Sequence, residues 1–180
     1  MQENVKFDYA MRVILMHEGG LIDNKADPGG ITNYGISLRY LKSQGIDIDG
    51  NGDSDSDDIK HLDKDEAKSI YKREWWDKYK YNEIESVIIA TKIFDMAVNM
   101  GAITAHKLVQ KALNIIVDRN IVEDGILGPV SFNLINTIDI DWLLDEIQVA
   151  QENYYKKLVA EHPKLAVFLK GWMARAMWPD

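Results

Sequence analysis

The chain has 180 residues, 46% of them hydrophobic and 28% charged, which is enough for one compact domain or two small, tightly joined ones. The absence of cysteine excludes disulfides and thiolate metal sites, and the formal net charge of −8 gives no general attraction to phosphate backbones, so we expect no nucleic-acid partner. Residues 1–8 lack the features of a signal peptide, so we expect synthesis in the cytoplasm. No apolar stretch approaches the roughly 20 residues of a membrane-spanning helix, so we expect no integral membrane segment.

The N-terminal segment predicts one amphipathic helix followed by a Gly-rich connection. The helix is predicted to end at Gly19–Gly20, and its apolar side chains recur at helical spacing: Phe7, Ala10, Met11, Ile14 and Leu15. Residues 21–35 contain turn chemistry at 27–30 and allow a short hairpin or loop.

The remaining segments predict further helices. Short ones begin near Ser37 and after Asp63, which forms a capping box with Glu66 for a helix through Tyr71 to Trp76. The others are expected at 84–100, at 104–116 with Thr104 as cap, from Pro129, at 142–158, and from Pro163 to 177. No strand pattern of useful length appears outside the Gly-rich segment, so the predicted fold is mainly α with a short Gly-rich hairpin or loop region at the active site.

Glu18, at the end of the first predicted helix, is the candidate general acid. The C-terminal end of a helix carries partial negative charge, which disfavours an ionised carboxylate there and favours the protonated form that an acid catalyst needs. Gly19 and Gly20 let the chain turn and let a bulky substrate approach. The alternative interpretation is a solvated helix-end glutamate.

The Gly-rich segment supplies the other candidates near this acid. Asp27 lies in a turn whose amides can keep it ionised, and two carboxyl groups in unlike environments are what glycoside cleavage uses. Thr32 and Asn33 are expected to hold a water molecule or substrate, and Tyr34 to line the cleft. An aspartate before Pro-Gly is also a common turn residue, so both interpretations of Asp27 stand.

These residues resemble the signature of glycoside hydrolase family 108, a group of lysozyme-like N-acetylmuramidases. The first motif is Glu18-Gly-Gly with Asp27-Pro-Gly-Gly-x-Thr32-Asn-Tyr34-Gly35. A second stretch, Phe94-Asp95-x-Ala97-Val98-Asn99-x-Gly101, is similar to another segment shared by the family. Asp124-Gly125-x-x-Gly128-Pro129 resembles a segment of the predicted peptidoglycan-binding domain that accompanies it.

The resemblance implies a lysozyme-like helical fold and hydrolysis of the β-1,4 bond between N-acetylmuramic acid and N-acetylglucosamine, with Glu18 as the acid. It implies a muramidase catalytic part at 5–95 and a helical, predicted peptidoglycan-binding part at 96–178, packed against the first. Family members include phage endolysins, so we expect a bacteriolytic activity. We also expect a monomer. Its partner would be the glycan strands of peptidoglycan, and it would act on the cell wall in the periplasm or outside after holin-dependent export.

An Asp-rich loop predicts a structural calcium site. It fits the pattern D-x-[DN]-x-[DN]-G-x5-[DE], with oxygen ligands from Asp47, Asp49, Asn51, Asp53, Asp55 and Asp58. The final position has Asp where the pattern usually has Glu. The alternative is a solvated acidic loop, and no cofactor is expected for catalysis itself.

Two more candidates lie on predicted helices. Asn99 shares a helix face with Asp95 and is placed to hydrogen-bond an acetamido group, whereas Asp95 is expected to pin neighbouring segments. Trp75 is the candidate for stacking on sugar, because adjacent Trp75 and Trp76 must face different ways.

Three other functions stay open at this stage. They are a non-catalytic wall-binding or secretion-assisting module, a calcium-dependent interaction protein, and a lytic transglycosylase.

Overall fold

The computed structural model describes residues 2–18, 31–118 and 120–179 of the chain. The helices are α1 Gln2–Glu18, α2 Leu38–Gln44, α3 Ser56–His61, α4 Lys64–Tyr71, α5 Val87–Met100, α6 Ala102–Val117, α7 Pro129–Thr137, α8 Ile140–Glu161 and α9 Leu169–Ala176. The strands β1 Thr32–Asn33 and β2 Ile36–Ser37 form an antiparallel hairpin, a π-helical segment spans Lys72–Asp77, and 3₁₀ helices span Tyr81–Glu83 and Pro163–Phe168.

The prediction of a mainly α fold is confirmed. A short hairpin is present at the end of the Gly-rich segment, while residues 19–30 lie outside the described part of the chain. None of the described helices is long and apolar enough to cross a bilayer.

The chain forms two compact units: residues 1–10 with 75–180 make unit 1, and residues 11–74 make unit 2. In unit 2 the hairpin pairs Thr32 with Ser37 and Asn33 with Ile36. Helix α2 packs against β2, and α3 packs against β1 and α2. Burial of apolar side chains drives this packing, and the core of the unit includes Met11, Ile14, Ile31, Ile36, Leu41, Ile59, Leu62, Ala67 and Ile70.

Unit 1 is built round α5, in which every residue from 89 to 97 is buried. Helix α5 packs against α6, α6 against α8, and α8 against α9. Aromatic rings fill the core beside α5, since Trp76 has its ring centroid 5.5 Å from those of both Phe7 and Phe94 and 6.0 Å from that of Tyr81. The N-terminal segment is tied into the same unit by Lys6, which donates to the carbonyls of Asn82 and Ile84 at 2.8 and 2.7 Å.

Polar side chains on α5 tie the C-terminal segment to the centre of unit 1. The buried Asp95 accepts two hydrogen bonds of 2.8 Å from the guanidinium of Arg175. Lys92, also fully buried, donates to the carbonyls of Arg175, Ala176 and Trp178 at 3.2, 2.5 and 2.8 Å. The prediction that Asp95 pins neighbouring segments is therefore confirmed.

Several predicted helix starts are confirmed by their caps. The Ser37 hydroxyl accepts from the backbone of Tyr40 at the start of α2, and the Asp63–Glu66 capping box opens α4. Pro129 is the first residue of α7.

Other predicted boundaries were wrong. Helix α5 begins at Val87, because Ser86 caps it. Helix α6 begins at Ala102, directly after Gly101 at φ 86°. Thr104 therefore lies inside the first turn of α6. Helix α8 begins at Ile140, because Asp139 caps it. Pro163 opens a 3₁₀ helix, and the last α-helix starts only at Leu169.

Candidate active site

The side chain of Glu18 lies against the turn of the β1–β2 hairpin, within unit 2. A Cβ atom built on Gly35 would fall 2.8 Å from both Cγ and Oε2 of Glu18, and 2.6 Å from the hydroxyl oxygen of Tyr71. The carboxyl group at the end of α1 and the phenol at the end of α4 therefore both reach the backbone of this turn. Glycine is required at position 35 by that close approach and by its φ of 77°.

The turn has the backbone of a tight two-residue hairpin. Tyr34 has φ 50° and Gly35 has φ 77°, and two successive positive φ angles are typical of the type I′ turn that suits the twist of paired strands. The buried Tyr71 donates a hydrogen bond of 3.0 Å from its hydroxyl to the carbonyl of Tyr34. Tyr71 thus holds the turn beside Glu18. No sequence pattern predicted this contact, because the capping box before Tyr71 indicates only that Tyr71 belongs to a helix.

Asn33 has a structural role in the hairpin. Its side chain is buried, and its amide nitrogen donates to the carbonyls of Ile59 and Leu62 at 3.2 and 3.1 Å. These two bonds occupy both amide hydrogens and fix β1 to the C-terminal end of α3. Substrate binding by Asn33 stays a prediction.

The other predicted residues of the Gly-rich motif are placed as follows. Thr32 and Tyr34 are both half-buried and belong to the same hairpin as Asn33. Asp27 lies outside the described residues. Glu18, Thr32 and Tyr34 are therefore brought into one unit, and their proposed roles stay predictions.

Trp75 and Asn99 belong to unit 1. Trp75 is half-buried, whereas Trp76 is buried in the aromatic core, in keeping with the expectation that the two rings face different ways. The hydroxyl of Tyr155 donates to Oδ1 of Asn99 at 2.7 Å and accepts from the amide of Gln151 at 3.1 Å. The side-chain oxygen of Asn99 is therefore engaged within unit 1, and substrate binding by Asn99 stays a prediction.

The Asp-rich loop is folded so that its carboxylates converge. Oxygen atoms of Asp47, Asp49 and Asp58 lie within 4.8 Å of one another, and so do those of Asp53, Asp55 and Asp58. Gly52, at φ 101°, donates its amide to Asp47 at 2.8 Å, and Asn51 accepts from the amide of Asp53 at 3.0 Å. The loop backbone therefore wraps the predicted ligand side chains and donates amide hydrogen bonds to them.

Asp58 is the centre of this loop. Its buried carboxylate accepts from the amides of Ile48 and Asp55, both at 2.6 Å, and from that of Asp49 at 3.3 Å. Burial alone would raise the pKa of Asp58, but these backbone hydrogen bonds outweigh it and lower the pKa below its usual value. Oδ1 of Asp58 accepts two of these hydrogen bonds and Oδ2 accepts one, so the ionised carboxylate keeps a lone pair on Oδ2 for a cation.

Fold and site together describe a mainly helical protein in which an acidic residue lies beside a short hairpin. Comparison with known families makes this specific: the profile described as glycosyl hydrolase 108 matches residues 11–101, and the one described as predicted peptidoglycan domain matches residues 104–177. The chain belongs to the glycosyl hydrolase 108 family and is a peptidoglycan hydrolase. The predicted division into parts 5–95 and 96–178 stays a prediction.

A solved structure shows the same arrangement over nearly the whole chain. The chain is similar to SagA of Brucella abortus, with a TM-score of 0.76 and 25% sequence identity over 96% of this chain and 90% of that one. No curated protein matches the chain.

Proposed function

We propose that the chain is an N-acetylmuramidase that hydrolyses the β-1,4 bond between N-acetylmuramic acid and N-acetylglucosamine, with Glu18 as its general acid. One observation carries this proposal: the Glu18 carboxyl group lies against Gly35 and the Tyr71 hydroxyl at a turn where only a glycine fits. The carboxyl group packs against the backbone at Gly35 and beside the Tyr71 hydroxyl, so it is held in a fixed position from which to transfer a proton.

In the proposed reaction Glu18 donates its proton to the bridging oxygen while the bond from that oxygen to the sugar C1 breaks. The positive charge that develops on the sugar ring is stabilised by a carboxylate, for which Asp27 is the candidate. Water then adds to C1, and its proton returns to a carboxylate of the site. Thr32 is proposed to orient this water, and Tyr34, Trp75 and Asn99 to contact the sugars.

The test is clearing of purified peptidoglycan by the wild type and by Glu18→Gln. Loss of the acid is expected to reduce the rate by about 10²–10⁴-fold, the usual contribution of general acid catalysis. Glu161→Gln is the matched control, because Glu161 is likewise the last residue of its helix but is exposed. Equal clearing by wild type and Glu18→Gln would remove Glu18 from its role, and no clearing by either would favour a non-catalytic wall-binding module.

The mass of the products separates hydrolysis from transglycosylation. A hydrolase adds water and leaves a reducing muramic acid end, whereas a lytic transglycosylase leaves an anhydro end that is lighter by one water. We expect the reducing product. An anhydro product would contradict the hydrolytic step while leaving Glu18 as the acid.

We also propose that the Asp47–Asp58 loop binds one structural Ca²⁺. The residues fit such an ion, because the carboxylates of two triads sharing Asp58 converge within 4.8 Å and hard oxygen atoms are the ligands that calcium prefers. The ion would offset the repulsion among the aspartates and fix the connection from α2 to α3. It would take no part in the bond cleavage.

Thermal unfolding with Ca²⁺ and with a chelator tests this site. Calcium at about 100 times its dissociation constant stabilises a protein by about 2.7 kcal/mol, so a rise of several degrees in the midpoint is expected. Asp49→Ala should abolish the rise, whereas Asp65→Ala, at an exposed aspartate on α4, should keep it. An unchanged midpoint in the wild type would refute the site.

A further inference from the structure

The motif Asp124-Gly125-x-x-Gly128-Pro129 forms one wall of a cleft in unit 1. The cleft has a volume of about 560 Å³, within the range of ligand-binding pockets, and is lined by residues 125–129 of this motif together with Tyr79, Ile103 and Phe132. Ile126 is 70% exposed and Ile103 is 64% exposed, so large apolar side chains are available to a ligand there. All the residues that line this cleft belong to unit 1.

Buried side chains of α6 hold the wall of the cleft in place. Gln110 accepts from the amide of Gly125 at 2.8 Å and donates to the Asp124 carboxylate and the Ile126 carbonyl at 2.8 and 3.1 Å. His106 lies 2.9 Å from the carbonyl of Gly125 through Nδ1 and 2.8 Å from the Tyr81 hydroxyl through Nε2. The loop is therefore fixed before any ligand arrives, which lowers the entropic cost of binding.

Gly125 is required where this wall meets α6. It has φ 83°, and a Cβ atom there would lie 2.8 Å from the carbonyl oxygen of Ile103. The motif thus combines a glycine that no other residue can replace with an exposed isoleucine directly after it.

Two cationic side chains, Lys78 and Lys80, also line the cleft and form an edge of it. The Lys78 ammonium lies 5.8 Å from the ring centroid of Tyr79, at the distance of a cation–π contact. Lys80 also lines the cleft and forms an exposed ion pair with Glu83 at 3.9 Å, which leaves the edge with a net positive charge. In a chain with a formal net charge of −8, this edge is suited to an anionic group.

We propose that this cleft binds the peptide stem of peptidoglycan. The proposal rests on the proposed function in one respect, which is that peptidoglycan is the polymer the protein acts on. A stem peptide combines methyl and aliphatic side chains with free carboxylates, which match a cleft lined by both apolar side chains and ammonium groups. A bare sugar ring would instead need a flat aromatic face and several hydrogen-bonding side chains. The family profile described as predicted peptidoglycan domain begins at residue 104 and so includes His106 and the whole motif.

Binding is tested with full-length Glu18→Gln protein, so that slow or absent hydrolysis cannot change the result. The probe is a synthetic stem tetrapeptide titrated to millimolar concentration and followed by NMR chemical shifts. We expect shifts at Tyr79 and Ile126, and an affinity about tenfold weaker in Lys78→Glu/Ile126→Ser. Lys164→Glu/Val149→Ser, at exposed positions outside the cleft, should bind like the parent protein.

Two sources of peptidoglycan then separate stem binding from glycan binding. Glu18→Gln should sediment with intact sacculi more than with sacculi whose stems an amidase has removed, and the cleft variant should lose that difference. Absence of peptide-induced shifts, or equal affinity of parent and cleft variant, would overturn the proposal. Equal binding to both kinds of sacculi through the cleft would assign it to the glycan. If the wild type fails to cleave peptidoglycan but the peptide still binds, only the proposed catalytic function is lost.

Discussion

At Gly35 a single added methyl group would enter space that the Glu18 carboxyl and the Tyr71 hydroxyl occupy. Gly35→Ala is therefore expected to displace the acid and reduce the clearing of peptidoglycan by about 10²-fold, the usual effect of a displacement of about 1 Å in a catalytic group. The measurement is the initial rate on purified peptidoglycan.

Gly45→Ala is the control for Gly35→Ala. Gly45 also has a positive φ of 63°, but a Cβ atom there meets nothing within 4 Å. Both variants carry about 1 kcal/mol of backbone strain, and only Gly35→Ala adds the steric conflict. A comparable loss of activity in both would show that strain, rather than contact with Glu18, causes the effect.

At the scale of single residues, the sequence identifies which residues form a motif more readily than it predicts the contacts that those residues make. The clustering of Glu18 with the Tyr34–Gly35 turn could be anticipated from their shared motif. The hydrogen bond from Tyr71 could not, because that tyrosine lies 37 residues from Tyr34 and gives no sequence signal of its contact. Asn33 belongs to the same motif, but its amide faces carbonyls at the end of α3, whose position only the tertiary structure determines.

At the scale of elements, Lys92 joins α5 to the end of α9 and the residues after it. Lys92→Met preserves side-chain length but leaves three carbonyls without their donor, so we expect a loss of about 2–3 kcal/mol in the free energy of unfolding, measured in urea. Lys157→Met, at a side chain that is 75% exposed, should change it by less than about 0.5 kcal/mol. Equal stabilities of the two variants would show that the three hydrogen bonds contribute nothing.

Helix starts were predictable at some side-chain caps, whereas the caps Ser86 and Asp139 were not recognised from the sequence. Ser37 and Asp63 accept backbone N–H groups in the way their residue types suggest. The start of α6 depends on Gly101, which has a positive φ of 86° and no side chain that could cap the helix, so Thr104 was mistaken for the cap. Pro163 suits the first turn of a 3₁₀ helix as well as that of an α-helix, and the sequence alone does not distinguish them.

At the scale of the whole molecule, buried titratable groups set how stability depends on pH. Burial lowers the pKa of Lys92 to about 7, so between that pH and its ordinary value of 10.5 the unfolded chain binds more protons than the folded one. The midpoint of thermal unfolding should therefore rise from pH 7 to about pH 9.5. Lys92→Met should flatten this rise, and an unchanged slope would contradict the assignment.

Other buried groups set how stability depends on pH in acid and in strongly alkaline solution. Burial lowers the pKa of His106 below 6.5, so stability should fall as the pH drops below that value, and His106→Gln should reduce the fall. Burial raises the pKa of Tyr155 to about 12, so stability should fall again above about pH 10, where unfolded tyrosines ionise. The measurement is the same thermal midpoint, taken on His106→Gln and Tyr155→Phe beside the wild type.

Unit 2 is an insertion between two segments of unit 1, and this order has a consequence for biosynthesis. Residues 11–74 leave the ribosome as a continuous piece, whereas Asp95 must wait for Arg175, 80 residues later. At about 5–20 residues per second, that wait lasts from about 4 to 16 seconds. During this interval the Asp95 carboxylate and the Lys92 ammonium have not yet met the C-terminal groups that bind them in the folded protein. A nascent chain stalled before residue 175 should therefore be a preferred target for proteases and chaperones. Cleavage is expected to fall in unit 1.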